Sequence, residues 1–345
     1  MIQWHHPTDE SDQWDGFNEP GIEHFSGNPM RHLAREVVQN SLDSRDSELN
    51  KPVVVKIEEL IIKPNDIPGI EELRKTFSLC LKSAKQESIK AQIFFDNGLK
   101  ELNKKQIKVL SISDHNTKGM KGPVSNGTPY FAFMKAKGQS KKANETATGS
   151  FGIGKFAPYA VSSLRTVFVS TVFIKQDKQA AQYTQGKSIL MSHDDDNGNR
   201  QQGIGFWGVK QKCQPIEGQN KILPDWLARA PYGESINDKV GTRLIILGFN
   251  QQDGWQECLA ASITENFFGA INSGKLEAHI GNKFIINSSS IDSIFSNVDI
   301  KDAVSNDKNE PEQFINSQFY YDCLSTHDDV TVSYTHLTLP TILLV

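Results

Sequence analysis

The feature that most constrains this chain is an amphipathic pattern that begins at Met30. Apolar residues recur there at steps of three and four, which is the period of one helical face. They are Met30, Leu33, Ala34, Val37, Val38 and Leu42. Asn28 and Pro29 precede the pattern, and the pair suits a helix start with Asn28 as the cap and Pro29 at the first helical position. A helix with this pattern must bury one face against other elements.

The same helix carries a polar stripe away from its apolar face. At about 100° per residue, Glu36, Asn40 and Asp43 fall within that stripe. A solvated face is the usual meaning of such a stripe. Asn is a poor helix former, however, and gains little inside a helix unless its amide has a partner. A carboxylate and a carboxamide one turn apart suit the orientation of a water molecule and the binding of Mg²⁺.

Strands and helices alternate along the rest of the chain. The sequence predicts strands over Val53–Ile62, Ile107–Ser113, Thr166–Phe173 and Gly241–Leu247, one or two helices within Pro64–Lys105, a helix over Trp255–Ile271, and a hairpin over Lys275–Ile286 with Gly281-Asn282 at its turn. The strands do not follow a regular βαβ rhythm. We therefore expect an α+β fold, a two-layer sandwich of helices on a mixed, mostly antiparallel sheet, rather than a doubly wound one.

Composition narrows the class of protein. The 345 residues are 37% hydrophobic and 23% charged, as in ordinary globular proteins. No apolar run approaches the roughly 20 residues needed to cross a bilayer, and the start lacks a signal-peptide pattern, so we expect a cytoplasmic protein without a membrane partner. The net charge of −4 gives no overall attraction to nucleic acid. Four scattered cysteines indicate neither a zinc site nor disulfides.

Asp114 lies at the end of the second predicted strand and is followed by Gly119 and Met120. Such an Asp can accept a hydrogen bond from an exocyclic amine, and a following Gly lets the backbone approach a flat base. An ordinary Asp/Asn/Gly turn is the alternative interpretation.

A glycine-rich segment, Gly149–Gly154, runs into a predicted helix. Closely spaced glycines there expose backbone N–H groups that suit phosphate. The spacing of Gly149–Lys155 also fits the Walker A pattern, but Phe156 occupies the Ser/Thr position of that pattern. No hydrophobic strand leads into it from Lys142–Thr148, so we reject the Walker A interpretation.

Taken in order, these segments resemble the ATP-binding motifs of the GHKL class, which comprises gyrase, heat-shock chaperones, histidine kinases and MutL. The matching strings are Glu-x3-Asn-x2-Asp, a strand-end Asp with Gly-Met, GxxGxGK, and Gly-Thr on a strand. Gly149–Val161 is most similar to the heat-shock chaperones and MORC proteins, and Gly241–Ile246 to the chaperone version of the last motif. The resemblance covers about residues 25–250 and implies the Bergerat fold.

The resemblance implies a role for each matching residue. Glu36 would be the general base, Asn40 would bind Mg²⁺, Asp114 would hold the adenine amino group with Gly119 and Met120 against the ring, Thr242 would support Asp114, and Gly149, Gly152 and Gly154 would wrap the phosphates of ATP. Asp43 matches the motif with a less defined role. Lys155 is either a phosphate contact or a solvated lysine.

One position departs from the family pattern. Asn116 replaces the first glycine of the usual Asp-x-Gly-x-Gly, and one extra residue precedes Gly119. Asn tolerates positive φ, so the turn can form, while the adenine-side positions after Asp114 are open to a shift by one residue.

We predict the following organisation: an N-terminal arm over 1–29, an ATP-binding domain over 30–250 with an insertion at 63–105 and an ATP lid at 118–148, the truncated start of a second domain over 251–329, and a tail over 330–345 that is typical of a translated sequencing adapter. The arm is a candidate for homodimerisation, as in gyrase and MutL. The tail is excluded from fold reasoning.

The implied function is that of an Mg²⁺-dependent ATPase. ATP hydrolysis would drive closing and dimerisation on a protein or nucleic-acid partner, in prokaryotic defence or DNA transactions. The alternative is a nucleotide-gated interaction module that binds ATP without significant turnover. Glu36 favours hydrolysis, because a pure switch does not need a base. A histidine kinase is disfavoured, since no His-containing dimerisation helix precedes the ATP-binding segment.

Overall fold

A computed structural model describes residues 1–136, 152–218, 221–250, 252–305 and 311–325. These residues form ten α-helices and twelve β-strands. The helices are α1 (Pro20–Glu23), α2 (Pro29–Asp43), α3 (Ile70–Ala84), α4 (Ile89–Leu102), α5 (Pro129–Met134), α6 (Ala157–Ala160), α7 (Trp255–Asn272), α8 (Ile291–Ser296), α9 (Val298–Ser305) and α10 (Pro311–Ser325). The strands are β1 (Ile2–His5), β2 (Val53–Ile62), β3 (Ile107–His115), β4 (Thr166–Ile174), β5 (Ala180–Ile189), β6 (His193–Asp194), β7 (Arg200–Gln201), β8 (Ile204–Val209), β9 (Ile216–Glu217), β10 (Gly241–Leu247), β11 (Leu276–Ile280) and β12 (Phe284–Ile286).

One large sheet of ten strands organises the described part of the chain. Its order is β1-β8-β5-β4-β10-β3-β2-β11-β12, with β9 beside β5, while β6 and β7 form a separate hairpin. The pairing of β2 with β11 is parallel, and the other pairs in the sheet are antiparallel. The predicted mixed, mostly antiparallel sheet is therefore confirmed.

Helices α2 and α7 cover one face of the sheet. Pro29 lies in the first turn of α2, as predicted, and the apolar stripe of α2 is buried against this face. The two helices are joined by a buried ion pair, in which Arg31 Nη2 lies 2.5 Å from Glu265 Oε1. The attraction between two buried charges offsets their loss of hydration only when the two groups are well aligned. The pair therefore links α2 to α7 at one defined point.

Helices α3 and α4 cover the opposite face. Their buried Phe77 and Phe95 pack with Val109 of β3 and Ile245 of β10. Since β3 carries apolar side chains on both faces, one helical layer would leave half of them exposed. The segment predicted as an insertion at 63–105 therefore supplies a third layer, and the arrangement differs from the predicted two layers.

The described part of the segment 251–329 belongs to the same sheet and core. Strand β11 pairs with β2, and β12 follows it after a turn in which Gly281 has φ +53°, as the predicted hairpin requires. Helix α7 packs on α2 within one continuous cluster of buried side chains. The described residues after 251 thus share the sheet and the buried cluster of α2.

The N-terminal segment 1–29, predicted as an arm, is folded onto the rest of the described chain. Strand β1 pairs with β8, and Trp4 and Phe17 are buried. The guanidinium of Arg165 donates a hydrogen bond of 2.6 Å to the carbonyl of Phe17 and stacks on its ring at 4.1 Å. These contacts anchor the segment to the start of β4.

Among the helices of the described ranges, none is long and apolar enough to cross a membrane. The predicted adapter-derived tail at 330–345 lies outside the described residues, as do Gly149 and the predicted lid beyond residue 136.

A pair of buried histidines lies where β1 meets the β6–β7 hairpin. The Nδ1 of His6 lies 2.9 Å from the carbonyl of Gln202, which fixes Nδ1–H as a donor, and Nε2 lies 3.3 Å from Ser188 Oγ. The ring of His193 is 5.1 Å away, edge-on. Burial lowers the pKa of His6 to about 3, and the nearby His193 contributes to that shift. Burial also lowers the pKa of His193.

We expect acid to destabilise the fold through His6. The unfolded chain takes up the proton near the ordinary histidine pKa of 6.5, whereas the folded chain does so only near 3, so stability is complete above 6.5 and is lost as the pH falls toward 3. His6 alone should cost about 2 kcal/mol of unfolding free energy between pH 6.5 and 5. Urea unfolding at each pH measures this slope. The slope should be shallower in His6→Gln, and identical slopes in the two proteins would contradict the assignment.

Candidate functional site

Strand β3 extends two residues beyond its predicted end. Asp114 aligns with Val55 of β2, and His115 aligns with Val54. The ladder with β2 thus carries Asp114 inside the sheet, near its edge, rather than in the following turn. This placement gives the carboxylate a rigid support.

Three segments meet at the carboxylate of Asp114. Its Oδ1 accepts hydrogen bonds from the backbone N–H of Thr242 at 2.8 Å and from Thr117 Oγ1 at 2.7 Å. Its Oδ2 lies 3.5 Å from Ser41 Oγ on α2. Strand β10, the turn after β3 and helix α2 therefore converge on one side chain. The contact between Thr242 and Asp114 is the one that the sequence predicted.

The two oxygens of Asp114 are engaged unequally. Oδ1 has two short donors, and among the described residues Oδ2 has only the long contact with Ser41. Burial raises the pKa of Asp114 above its ordinary value, while the positive charge of Arg229 and the hydrogen bonds to the carboxylate oppose that rise. Oδ2 is thus an acceptor on a partly buried side chain, with capacity for a further donor.

The turn after β3 uses two residues with positive φ. Asn116 has φ +60° and donates from Nδ2 to the carbonyl of Pro52 at 2.7 Å, so the departure from the family's glycine is accommodated as predicted. Gly119 has φ +62°, and a Cβ there would overlap the carbonyl oxygen of Val172. Only glycine lets this turn approach β4 so closely.

A hydroxyl pair connects the same turn to β10. The backbone N–H of Met120 donates to Thr171 Oγ1 at 2.8 Å. That oxygen lies 3.2 Å from Thr242 Oγ1. The backbone of Thr242 thus supports Asp114 directly. Its side chain supports the turn through the hydroxyl of Thr171.

Glu36 lies at the contact between α2 and the glycine segment. Its side chain is 16% exposed, and Arg35 Nη2 is 3.6 Å from Oε1. A Cβ at Gly154 would overlap Glu36 Oε2, so the carboxylate lies directly against that glycine. Gly152, just before it, has φ +73°. The Glu-x3-Asn-x2-Asp motif and the GxxGxGK motif are therefore in contact, through Glu36 and Gly154.

The other two stripe residues of α2 are placed differently. Asn40 is exposed. Asp43 Oδ1 accepts a hydrogen bond of 2.9 Å from Gln39 Nε2, within the same helix. The α2 side chain that reaches Asp114 is Ser41, which the motif does not include.

Lys155 is buried, with 8% of its surface exposed, so it is not the solvated lysine of the sequence analysis. Its Nζ donates to the carbonyl of Ala132 at 3.1 Å and to that of Ala136. Burial lowers its pKa. Lys187 Nζ donates to the neighbouring carbonyl of Met134 at 2.9 Å. Two ammonium groups thus bind the C-terminal carbonyls of α5.

Sequence reasoning missed four residues of this site: Ser41, Thr117, Thr171 and Arg229. Ser and Thr within helices and strands give no distinctive pattern, because their hydroxyls bond wherever the tertiary fold brings an acceptor. Arg229 lies in the connection between β9 and β10, far from each motif in sequence, yet it is buried to 3% exposure. A buried Arg needs acceptors, but the sequence does not identify them.

Comparison with models of known protein families and with curated proteins finds no match for this chain.

An open cleft of about 480 Å³ lies at the other end of β3, near Ile107. Its lysines are paired, Lys104 with Glu101 and Lys108 with Glu59. The cleft has no contact with the Asp114 cluster and offers no concentrated charge. We therefore assign the candidate site to the Asp114 end of the strands.

Gly241 separates Asp114 from Arg229. It has φ +134°, and a Cβ there would lie 2.5 Å from the Asp114 carbonyl oxygen and 2.7 Å from Arg229 Nη2. Gly241→Ala should therefore displace Asp114 and destabilise the fold. Gly198→Ala is the matched control, because Gly198 has φ +82° with nothing within 4 Å.

The control should lose about 1 kcal/mol of unfolding free energy, from the positive φ alone. Gly241→Ala should lose distinctly more, since overlap adds to strain. Chemical denaturation of both variants measures the difference. Equal losses would mean that the contact around Gly241 is not tight.

Proposed function

We propose that this chain binds Mg²⁺-ATP in the manner of the GHKL class and hydrolyses it. The observation that carries the proposal is the convergence of motifs that lie far apart in sequence. Ser41 reaches Asp114, Thr242 donates to Asp114, and Glu36 lies against Gly154. The resemblance supplies the identity of the ligand, and the contacts support it.

The residues fit an adenine nucleotide at two points. Asp114 Oδ2 is an acceptor on a partly buried side chain, with capacity for the amino group of adenine, which is a donor. Gly119 has no Cβ, and the turn that contains it lies directly against β4, which is the second point. For Mg²⁺, the described residues contain no group of three His, Cys, Asp or Glu side chains arranged around one point. The ion would therefore take the Asn40 amide oxygen together with phosphate and water oxygens.

In the proposed reaction, a water oxygen forms a bond to the γ-phosphorus and the bond to the β–γ bridging oxygen breaks, which releases ADP. Glu36 accepts the proton of that water. Most of the remaining catalysis is positioning and charge neutralisation. The phosphates would lie along Gly149, Gly152 and Gly154, where backbone N–H groups suit anions.

The second candidate is a nucleotide-gated interaction module without significant turnover. One observation favours it. Lys155, the cation that follows the glycine segment, is bonded to the carbonyls of Ala132 and Ala136 instead of lying free for a phosphate. A site without a mobile cation would bind ATP more readily than it would stabilise the charge that develops during transfer.

We further propose a homodimer and a protein or nucleic-acid partner. A dimer formed through residues 1–29 would have to exchange or extend the pairing of β1, because that strand already runs along β8.

Asp114→Asn should keep the fold and weaken ATP binding. The amide oxygen can take the place of Oδ1, which accepts from Thr117 and Thr242, so the amide NH₂ then faces the position of Oδ2. A donor there opposes the adenine amino group, and we expect about 10- to 100-fold weaker binding. Calorimetry with Mg²⁺-ATP measures it, with the exposed Asp177→Asn as control. Unchanged affinity would remove Asp114 from the site.

Glu36→Gln separates the two candidate functions. It preserves the packing against Gly154 and removes the base, so ATP affinity should stay near that of the wild type while turnover falls by about 10²–10⁴. Asn40→Ala should instead weaken Mg²⁺-dependent binding. Phosphate release and calorimetry on the same samples give both quantities. A wild type that binds tightly yet turns over no faster than Glu36→Gln would leave the nucleotide-gated module as the function.

A further inference from the structure

Arg229 lies behind Asp114, on the far side of Gly241. A Cβ at Gly241 would lie 2.7 Å from Arg229 Nη2 and 2.8 Å from Asp114 Oδ1, so the guanidinium and the carboxylate flank the same point of the backbone. The backbone N–H of Arg229 donates to Ser170 Oγ at 2.8 Å, which fixes the residue to β4. The guanidinium is thus a fixed positive charge close to a partly buried carboxylate.

The other partners of this guanidinium are neutral. Nε donates to the carbonyl of Lys239 at 3.0 Å, and Nη2 donates to that of Val240 at 3.2 Å. Nη2 also lies 3.2 Å from His115 Nδ1, which must accept because a guanidinium only donates. Burial lowers the pKa of His115 to about 3, and the charge of Arg229 contributes to that shift, so His115 is neutral at physiological pH.

We propose that Arg229 is a positioning residue that keeps Asp114 ionised and thereby makes the site select adenine over a purine with a 6-keto group. This inference rests on the proposed function, because it concerns the base that the same carboxylate would bind. It adds a residue outside the four motifs and a chemical reason for base selection.

The selection follows from the protonation state of one oxygen. An ionised carboxylate only accepts hydrogen bonds, so it pairs with the 6-amino group of adenine and repels the 6-keto oxygen of hypoxanthine. A protonated carboxyl group donates, and the preference is reduced or reversed. Burial pushes Asp114 toward the protonated form, and the charge of Arg229 is the largest effect that opposes it.

Other charged and titratable groups around the cluster come from neighbouring elements. They are Lys56 on β2, His115 on β3, Arg243 on β10 and Lys239 before β10. Lys56, Arg243 and Lys239 act on His115. Arg229 is the cation that acts on Asp114 most strongly.

The experiment compares the binding of Mg²⁺-ATP and Mg²⁺-ITP by calorimetry between pH 6 and 8. The wild type should prefer ATP with little dependence on pH. In Arg229→Gln, the pKa of Asp114 should be higher than in the wild type, so ATP binding should weaken toward acid pH more than it does in the wild type, and ITP binding should not. Arg229→Lys, which retains the charge, should restore the weak pH dependence of ATP binding.

Arg243→Gln is the matched control. Arg243 is an arginine that is partly buried, and its Nη1 donates to the carbonyl of Ala228, next to Arg229 in the chain. Its loss should lower stability without changing the pH profile of the ATP/ITP preference. A merely structural Arg229 would behave like this control, and that result would overturn the proposal.

Three outcomes separate this inference from the proposed function. A wild type that binds neither nucleotide defeats the proposed function. A wild type that binds ATP and ITP equally removes Asp114 as the base-reading residue and defeats this inference, while ATP binding itself stands. If the wild type prefers ATP, and Arg229→Gln shows the same preference and the same weak dependence on pH, only the role of Arg229 is defeated. If Arg229→Gln does not fold, the ¹³C titration of the Asp114 carboxyl group in the wild type decides. A carboxyl group that is already protonated at pH 7 overturns the proposal.

Discussion

The antiparallel pairing of β3 with β10 is the constraint on which the rest of the site depends. Arg243 aligns with Ser113, which leaves Gly241 and Thr242 level with Asp114 at the edge of the ladder. The backbone N–H of Thr242 reaches Asp114 Oδ1 only in this register. A slip by one residue would turn every side chain of β10 to the opposite face of the sheet and would remove this hydrogen bond.

Helix α2 depends on a second constraint, its fixed position between sheet and α7. The ion pair of Arg31 with Glu265 is buried, and its geometry sets where the helix lies along its axis. Glu36 and Ser41 lie on the same helix, so the contact with Gly154 and the contact with Asp114 share one rigid support. The candidate site is therefore held in place partly by the Arg31–Glu265 pair, which lies outside the site itself.

Much of the local structure followed from the sequence. The 3.6-residue period at Met30 predicted α2 with Pro29 in its first turn, and β-branched residues predicted β2 with its observed bounds. The proximity of Thr242 to Asp114 was implied by the resemblance to the GHKL class, and the structure has a hydrogen bond between them. The tertiary contacts did not follow from the sequence. Nothing in the segment at 63–105 indicates which face of the sheet it covers, and nothing near Trp255 shows that α7 packs on α2. The acceptors of Lys155 and Arg229 are backbone carbonyls, which every residue has, so no pattern points to them.

The parallel pairing of β2 with β11 has a consequence for how this chain is made. Val53 aligns with Leu276, and the chain is synthesised from its N-terminus, so β2 and α2 exist long before their partners. Until β11 and α7 emerge from the ribosome, one edge of β2 presents unpaired N–H and C=O groups beside valines and isoleucines. Such an edge favours pairing between nascent chains, and closing it over a long sequence separation is slow. A growing chain of this protein therefore passes through a stage in which β2, which ends up inside the sheet, still has one unpaired edge.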